Sequence, residues 1–139
     1  MKKALVLLFV ISALLSCGKK EVKQETDDSK IAQEAIMVAE EIKIAYLKND
    51  LAAIEYNSTK DGYREILGAI KSFDKAELAF TPKWVDIDRS SVSLKVAWDG
   101  LWVVKGQKTD ERGTAVFMFE GRPLKLNRVL RANPFRQPE

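Results

Sequence analysis

The chain has 139 residues, with 23 lysines and arginines against 20 aspartates and glutamates, one cysteine and no histidine. A formal charge of +3, with both signs interspersed, gives no electrostatic basis for binding nucleic acid. The missing histidine excludes Ser-His-Asp and Cys-His catalysis and imidazole metal sites, and one cysteine excludes an intrachain disulfide and a four-cysteine zinc site. We therefore expect neither a metal nor another cofactor.

Residues 1–17 have the layout of a bacterial export signal. Two lysines precede an apolar run from Ala4 to Leu15, which at about 1.5 Å per residue is too short to span a bilayer. The run leads into Leu-Leu-Ser-Cys, which resembles the lipobox of bacterial lipoproteins. This resemblance implies cleavage after residue 16 and fatty acylation of Cys17, of the palmitate type. An ordinary signal peptide with a chance cysteine is the alternative interpretation.

This interpretation divides the chain into three segments. The signal peptide comprises residues 1–16, the lipidated cysteine and a flexible tether occupy residues 17–29, and a single domain spans residues 30–139. The tether is charged and almost free of apolar residues, so it cannot bury enough surface to fold. Gly18 stands where the inner-membrane retention signal has an aspartate. The expected location is therefore the outer membrane, with the domain facing the periplasm.

The domain is predicted to open with a long helix that begins near Ser29, with Asp28 or Ser29 as its N-cap. Apolar residues recur on one face at spacings of three and four, and a second apolar set lies on the far side. Such a helix is expected to be buried on both sides, whereas an exposed far side would indicate a structural envelope component. The first set is Ile31, Ala35, Val38, Ile42, Ala45 and Tyr46, and the second is Ile36, Ile44 and Leu47.

Two shorter helical segments follow. Asn49-Asp50 is predicted to end the first helix, and Leu51 to Ile54 to add one further turn. A second helix is predicted from Gly62 to Phe73, with Asp61 as its cap. Its predicted buried stripe is Tyr63, Ile66, Leu67 and Ile70.

After Asp74 the apolar period changes from about 3.6 residues to two, which indicates β-structure. The alternation stops at Pro82 and resumes beyond it one residue out of phase. A β-bulge or an edge position would accommodate the proline. The alternating residues are Ala76, Leu78 and Phe80 before the proline, and Val85 and Ile87 after it.

The stretch around Asp99-Gly100 allows two interpretations. Asp-Gly between apolar residues is a strong hairpin signal, but a two-residue turn there would place Trp98 and Trp102 on opposite faces. We therefore predict one long strand from Ser91 to Lys105, bent at the glycine. The residues that it keeps on one face are Val92, Leu94, Val96, Trp98, Trp102 and Val104.

The remainder of the chain is predicted to complete a sheet. Residues 106–112 are polar and are predicted to form a loop. A central strand is predicted over Thr114 to Phe119, a tight turn over residues 120–123, and a last strand over Leu124 to Arg131. Phe135 is expected to anchor the end of the chain.

These elements predict an α+β domain: two N-terminal helices packed on a strongly curved antiparallel sheet of about four long strands. Three segments carry a family resemblance: IAQEAIMVAEEIKIAYLKNDLAAI, SVSLKVAWDGLWVVKG and TAVFMFEGRPLKLNRVLRANPF. In this order they resemble the opening helix, long strand and closing hairpin of the nuclear transport factor 2-like superfamily, which is cystatin-like in architecture. The resemblance implies a cone-shaped domain, in proteins that are either enzymes or non-catalytic binding modules.

Five aromatic residues are candidates for a ligand site in such a cone: Trp84, Trp98, Trp102, Tyr46 and Tyr63. Trp98 and Trp102 share one predicted face, and the glycine between them would leave space for a ligand. All five side chains would equally suit a packed core. We assign no residue a catalytic role and none a metal.

We expect a membrane-anchored envelope lipoprotein whose domain binds a small apolar ligand or an envelope protein partner and catalyses nothing. The alternative is an isomerase- or dehydratase-like enzyme on a small apolar carbonyl substrate, because ketosteroid isomerase chemistry needs an aspartate and a tyrosine but no histidine. A buried carboxylate within reach of a tyrosine would favour the enzyme. A cone filled by Trp98, Trp102 and Phe117 would favour protein–protein interaction.

Overall fold

The computed structural model describes residues 25–139. The predicted signal peptide, Cys17 and most of the predicted tether lie outside the described residues. The helices are α1 (Asp27–Leu47), α2 (Leu51–Tyr56) and α3 (Lys60–Ala69), the strands are β1 (Lys75–Ile87), β2 (Val92–Val104), β3 (Gln107–Glu120) and β4 (Lys125–Arg131), and a 3₁₀ turn covers Pro134–Arg136.

The first helix begins earlier than predicted. Thr26 is its N-cap, and the Thr26 hydroxyl accepts a hydrogen bond from the Ser29 amide at 3.1 Å. The predicted caps, Asp28 and Ser29, are therefore wrong, because both residues lie within the first turn. Asp27 and Asp28 there interact favourably with the helix dipole. Regular structure thus begins three residues before the expected domain boundary at residue 30.

The predicted break after α1 is confirmed. Asn49 adopts a left-handed backbone with φ of 54°, and the Asp50 carboxylate accepts a hydrogen bond from the Ala53 amide at 3.1 Å, capping α2. The helix α2 continues to Tyr56, two residues beyond the single turn that was predicted. The described domain therefore has three helices before its sheet, where two and a turn were expected.

The helix α3 packs through most of the predicted stripe, since Ile66 is buried and Tyr63 and Ile70 pack against the core, but Leu67 does not belong to it. The helix is capped by Thr59 instead of Asp61, and it ends at Ala69 instead of Phe73. Its buried face is formed by Gly62, Ile66 and Ala69, while Leu67 is 41% exposed. The two small residues bring the helix close to β4, and this approach decides which side of the helix is covered.

The four strands form an antiparallel sheet in the order β1-β2-β3-β4. The strand β2 runs unbroken through Asp99-Gly100, and Trp98 and Trp102 are 3% and 0% exposed on the same face. The prediction of one long strand is confirmed. We call the face that carries these indoles and packs on α1 the inner face, and the opposite face the outer face.

The turn after β2 is much shorter than predicted. Lys105 and Gly106 have φ of 50° and 79°, so these two residues make the turn and β3 begins at Gln107. The predicted polar loop over residues 106–112 is therefore wrong. Those residues are polar because this end of the sheet is open to solvent, and polarity alone did not distinguish an exposed strand from a loop.

Two irregularities shift the side chains between faces. The β1–β2 register shifts between Pro82 and Trp84, and β1 is an edge strand, which confirms both explanations offered for the proline. A second shift lies opposite Phe119 in β4, where Asn127 has no partner in the register. Beyond that bulge Val129 is buried and Leu130 is 38% exposed, so the predicted alternation of the last strand fails there.

Side-chain contacts fix the helices to the sheet. The Glu34 carboxylate accepts a hydrogen bond from the Leu124 amide at 2.7 Å, and the Glu65 carboxylate accepts one from the Val129 amide at 3.0 Å. Phe135 is 1% exposed, so the expected anchoring of the chain end is confirmed. The α+β architecture of helices on a curved antiparallel sheet is also confirmed.

The two glycines of α3 provide a matched test of this packing. A Cβ at Gly62 would lie 2.0 Å from the Leu126 carbonyl oxygen, whereas a Cβ at Gly68 would meet nothing within 4 Å. We expect Gly62→Ala to lower the free energy of unfolding by about 2 kcal/mol or more. The control Gly68→Ala should raise it by about 0.5–1 kcal/mol through helix propensity. Urea unfolding measures both, and equal effects would contradict the close approach of α3 to β4.

Candidate functional site

The candidate site in the interior centres on two indoles and one phenol. The Trp102 Nε1 donates a hydrogen bond to the Tyr46 hydroxyl at 2.8 Å, and the Trp98 Nε1 donates one to the Ala132 carbonyl at 2.8 Å. Both indole N–H groups therefore have acceptors within the domain. A buried indole with a satisfied N–H offers no polar group with which to orient a ligand.

Aromatic rings close the space around this hydrogen bond. The rings of Trp98 and Trp102 meet edge to face, with centroids 6.2 Å apart and planes at 89°. The Tyr46 ring lies 5.3 Å from Phe73 and 5.2 Å from Phe135, measured between centroids. Contacts of this geometry each add about 0.5–1.5 kcal/mol beyond the burial of area. The cluster is a packed core.

The glycine between the tryptophans does not leave a ligand site. A Cβ at Gly100 would lie 2.4 Å from the Cη2 atom of Trp102, and one at Gly113 would lie 2.8 Å from the Cζ2 atom of Trp98. Each indole thus occupies the space that a side chain at the glycine would need. The space expected at Gly100 is filled by the neighbouring side chain, and the glycine is needed for that packing.

The space between α1 and the sheet is equally full. The gap lined by Ala39, Ile42, Phe117, Leu126 and Phe135 has no room for a water molecule. A ligand in the described cone would first have to displace core side chains. Trp98, Trp102 and Phe117 are all at most 3% exposed, which is the arrangement that favours protein–protein interaction over ligand binding.

Tyr46 has a perturbed pKa but no catalytic partner beside it. Burial raises the pKa of its hydroxyl above the ordinary value of 10.0, and the hydrogen bond from Trp102 lowers it in part. The enzyme alternative requires a buried carboxylate near such a tyrosine. Within residues 25–139 the buried polar side chains are Asn57, Ser58, Asn133 and Gln137, none of them acidic.

The other two candidates lie away from this cluster. Tyr63 is half-buried on α3, and Trp84 is 55% exposed on the outer face. The structure therefore brings together Tyr46, Trp98 and Trp102 but not the full set of five. The phase slip at Pro82, visible in the sequence, was the signal that Trp84 points outwards, because Val85 and Ile87 occupy the inner positions.

The far side of α1 is partly exposed. Ile44 is 47% exposed, as a structural envelope component would require, but Ile36 and Leu47 pack against the core. Met37, which belongs to neither predicted set, is 54% exposed. The predicted strip is therefore not continuous.

The outer face carries an apolar patch that the sequence analysis missed. Trp84, Lys95, Val116 and Leu130 lie side by side across the four strands, and Met118 adjoins them on β3. We call Trp84, Val116, Met118 and Leu130 the outer patch. The two bulges place Trp84 and Leu130 on this face, so a regular alternation of side chains does not predict the outer patch.

A concave groove lies beside the outer patch. It has a volume of about 1030 Å³ and crosses β1, β2 and β3 on the outer face. Its floor is formed by small side chains, including Ala79, Ala97 and Thr81, and Glu77 and Asp110 are among the carboxylates along its sides. We call this the outer groove.

Neither a metal site nor a membrane-spanning helix is evident in the part of the chain that the structure describes. Residues 25–139 contain no group of three or more Asp, Glu, His or Cys side chains placed to hold a metal ion. No helix in the same range has the length and apolar character needed to cross a membrane.

Tyr46→Phe tests the central hydrogen bond. The change leaves the Trp102 N–H buried without an acceptor, so the free energy of unfolding should fall by about 1–3 kcal/mol near neutral pH. Above about pH 10 the unfolded wild-type chain ionises at Tyr46 before the folded chain does, which destabilises only the wild type. The stability gap should therefore narrow as the pH rises through that range.

Denaturant unfolding between pH 7 and 11 measures this gap. Tyr56→Phe is the control, because the Tyr56 side chain is 74% exposed. A gap that stays constant or widens with rising pH would contradict the assignment of Tyr46 as a buried, neutral acceptor.

Comparisons with known proteins give the fold. No family model and no curated protein sequence matches the chain. Among solved structures, a Nuclear transport factor 2 (NTF2-like) superfamily protein from Salmonella enterica serovar Typhimurium LT2 superimposes with a TM-score of 0.60 at 14% identity, over 73% of this chain and 89% of that one.

A second solved structure agrees. An NTF-2 like protein of unknown function from Shewanella oneidensis MR-1 superimposes with a TM-score of 0.52 at 14% identity, over 70% of this chain and 95% of that one. At this level of identity the likeness extends to the fold and not to an activity. The helices and curved four-stranded sheet of this chain have the fold of nuclear transport factor 2-like proteins.

Proposed function

We propose that the protein is a lipid-anchored envelope protein whose domain binds a protein partner and catalyses no reaction. Its anchor would be the acylated Cys17, at the outer membrane and facing the periplasm. The observation that supports a non-catalytic role is the filled interior, where the Trp102–Tyr46 hydrogen bond and the surrounding rings leave no ligand space. A small apolar ligand in the cone is correspondingly disfavoured.

The outer patch supports a protein partner. An indole that is 55% exposed beside a leucine that is 38% exposed presents apolar area of the kind that interfaces cover. Lys95 lies within the same row of residues, and the next row has Arg128 beside Met118 and Asp86 at its other end. We infer that the partner presents apolar side chains flanked by charges of both signs, with carboxylates opposite Lys95 and Arg128.

The anchor is tested at Cys17. Replacing Cys17 with alanine should abolish metabolic labelling by palmitate and move the protein out of the membrane fraction, since no other cysteine is present in the sequence. Ser16→Ala is the matched control, because it keeps the thiol. Labelling that persists in the Cys17→Ala variant would refute the anchor.

The partner surface is tested by site-specific photo-cross-linking in intact cells. A photoreactive side chain at position 84 should yield a cross-linked product of one defined mass. The same group at position 37 should not, because Met37 is exposed on α1, which packs on the inner face. Leu130→Asp in the position-84 chain should remove the product by placing a charge in the apolar contact. Identical products at positions 84 and 37, or none at 84, would contradict the proposal.

A further inference from the structure

One edge of the sheet is open along the first half of β3. The strand β4 pairs with β3 only from Ala115 onwards. The last hydrogen bond across this edge runs from the Ala132 amide to the Thr114 carbonyl at 3.2 Å, just after Arg131 has turned the chain with its φ of 66°. Residues 107–113 therefore have β2 on one side and no strand on the other, in the part of the chain that the structure describes. We call residues 107–113 the open edge.

The open edge presents the backbone groups of alternate residues. In an antiparallel strand, successive residues direct their N–H and C=O groups to opposite sides. Because the Thr114 carbonyl points to the open side and the β2–β3 register has no shift, Arg112, Asp110 and Lys108 direct their backbone groups the same way. Within residues 25–139, no hydrogen bond from another strand or from a loop reaches these groups. The open edge thus offers a row of donors and acceptors for strand pairing.

The other edge of the sheet, along β1, offers no such row. Pro82 has no N–H to donate, and the register shifts beside it. The open edge contains no proline, and its pairing with β2 is regular from Gln107 to Gly113. A regular, unpaired strand edge is the template that strand addition requires. Only one side of the sheet is therefore suited to receive a further strand.

The side chains of the open edge alternate in charge. Lys108, Asp110 and Arg112 are all exposed and lie on the outer face of the sheet. Asp99 of β2 lies opposite Arg112, but within residues 25–139 no ion pair of 4 Å or less uses any of these charges. Charges of one sign would repel most strands, whereas alternating charges favour a strand with the inverse order. The matching strand carries a carboxylate, a cation and a carboxylate at alternate positions.

The open edge of a second copy does not supply this order. An antiparallel copy centred on Asp110 would place Asp110 opposite Asp110 and Lys108 opposite Arg112, and like charges directly opposite are destabilising. A copy centred on Thr109 would pair Lys108 with Asp110 in both directions. It would leave Arg112 opposite the uncharged Gly106 of the turn. Neither register satisfies all three charges.

A third register of the second copy is obstructed by the end of β4. Centred on Glu111, it would pair Asp110 with Arg112 in both directions. It would also extend the copy alongside Thr114, where the Ala132 amide is already hydrogen-bonded. A strand of another sequence is therefore the occupant that matches the open edge over its whole length.

We propose that the open edge receives an extended segment of a partner protein, which adds to the sheet as an antiparallel strand in line with β4. The segment places a carboxylate opposite Lys108, a cation opposite Asp110 and a second carboxylate opposite Arg112. Its backbone takes up the groups that these three residues direct outwards. Residues 110–114 of β3 also line the outer groove, so the added strand borders that groove. The contact depends neither on the outer patch nor on the anchor at Cys17.

Amide hydrogen exchange, measured by NMR on the full chain in a non-ionic detergent, tests the open edge. The probe is the acetylated and amidated peptide TEVKVET, and its matched control is TKVEVKT. Saturating TEVKVET should slow exchange at the amides of Lys108, Asp110 and Arg112 at least about tenfold, because each gains an acceptor. The intervening amides at 109, 111 and 113 point to β2 and should not change. TKVEVKT should bind at least about tenfold more weakly, since it places like charges opposite one another.

Two variants at the centre of the open edge separate the charge from the backbone. Asp110→Lys should bind TEVEVET at least about threefold more tightly than TEVKVET, the reverse of the wild-type order, and this gain also shows that the variant is folded. Asp110→Pro removes the central donor without removing a bond to β2, so TEVKVET should bind at least about tenfold more weakly. Glu41→Lys, an exposed change on α1, is the control and should bind as the wild type does.

The free chain distinguishes the other occupants. Its amides at 108, 110 and 112 should exchange rapidly at every protein concentration. Slow exchange at all concentrations would mean that another segment of the same chain covers the open edge, and slow exchange that appears only as the concentration rises would mean pairing with a second copy. Either result overturns the proposal. So does a failure of TEVKVET to protect these amides, or equal binding of TEVKVET and TKVEVKT, whatever the cross-linking at position 84 shows.

Discussion

Two indole rings must fit inside a small domain and still hydrogen-bond through their nitrogens, and much of the structure follows from that requirement. The rings fit only because Gly100 and Gly113 carry no side chain where the indoles lie. The Trp98 nitrogen reaches the Ala132 carbonyl just after Arg131, whose left-handed φ of 66° turns the chain away from β4. The Trp102 nitrogen uses Tyr46, which fixes the C-terminal half of α1 against the sheet. The contacts of these two side chains therefore constrain the curvature of the sheet, the path of the last strand and the position of α1.

The sequence predicts an element and its buried face correctly wherever the apolar residues have a strong period and only one face is buried. The long strand β2 was recognised against a competing hairpin signal, because six apolar residues shared one parity. The predictions fail where tertiary contacts override local sequence patterns. Residues 107–112 form a strand although their polar side chains indicate a loop. Leu67 is exposed although its spacing predicts burial, because α3 packs closely through Gly62 and Ala69. No local pattern encodes such an approach.

The candidate site was predicted in part. Periodicity identifies the cluster of Tyr46, Trp98 and Trp102, but it does not predict whether the cluster is open to a ligand or packed. The space beside Gly100 is open or filled according to the rotamer of Trp102. Trp84 was assigned to the same set although the phase slip at Pro82 implied otherwise. Trp84 instead belongs to the outer patch, which lies beside the outer groove on the same face of the sheet.

The proline at the sheet edge has a consequence for how copies coexist. Along β1 the backbone at Pro82 has no hydrogen to donate, and the bulge beside it breaks the register that an incoming strand would need. Further strands therefore cannot add there in regular succession. A protein gathered at high density on a surface would be at risk of growing edgewise into fibrils. Here the bulge in the first strand opposes regular addition of strands at that edge of the sheet.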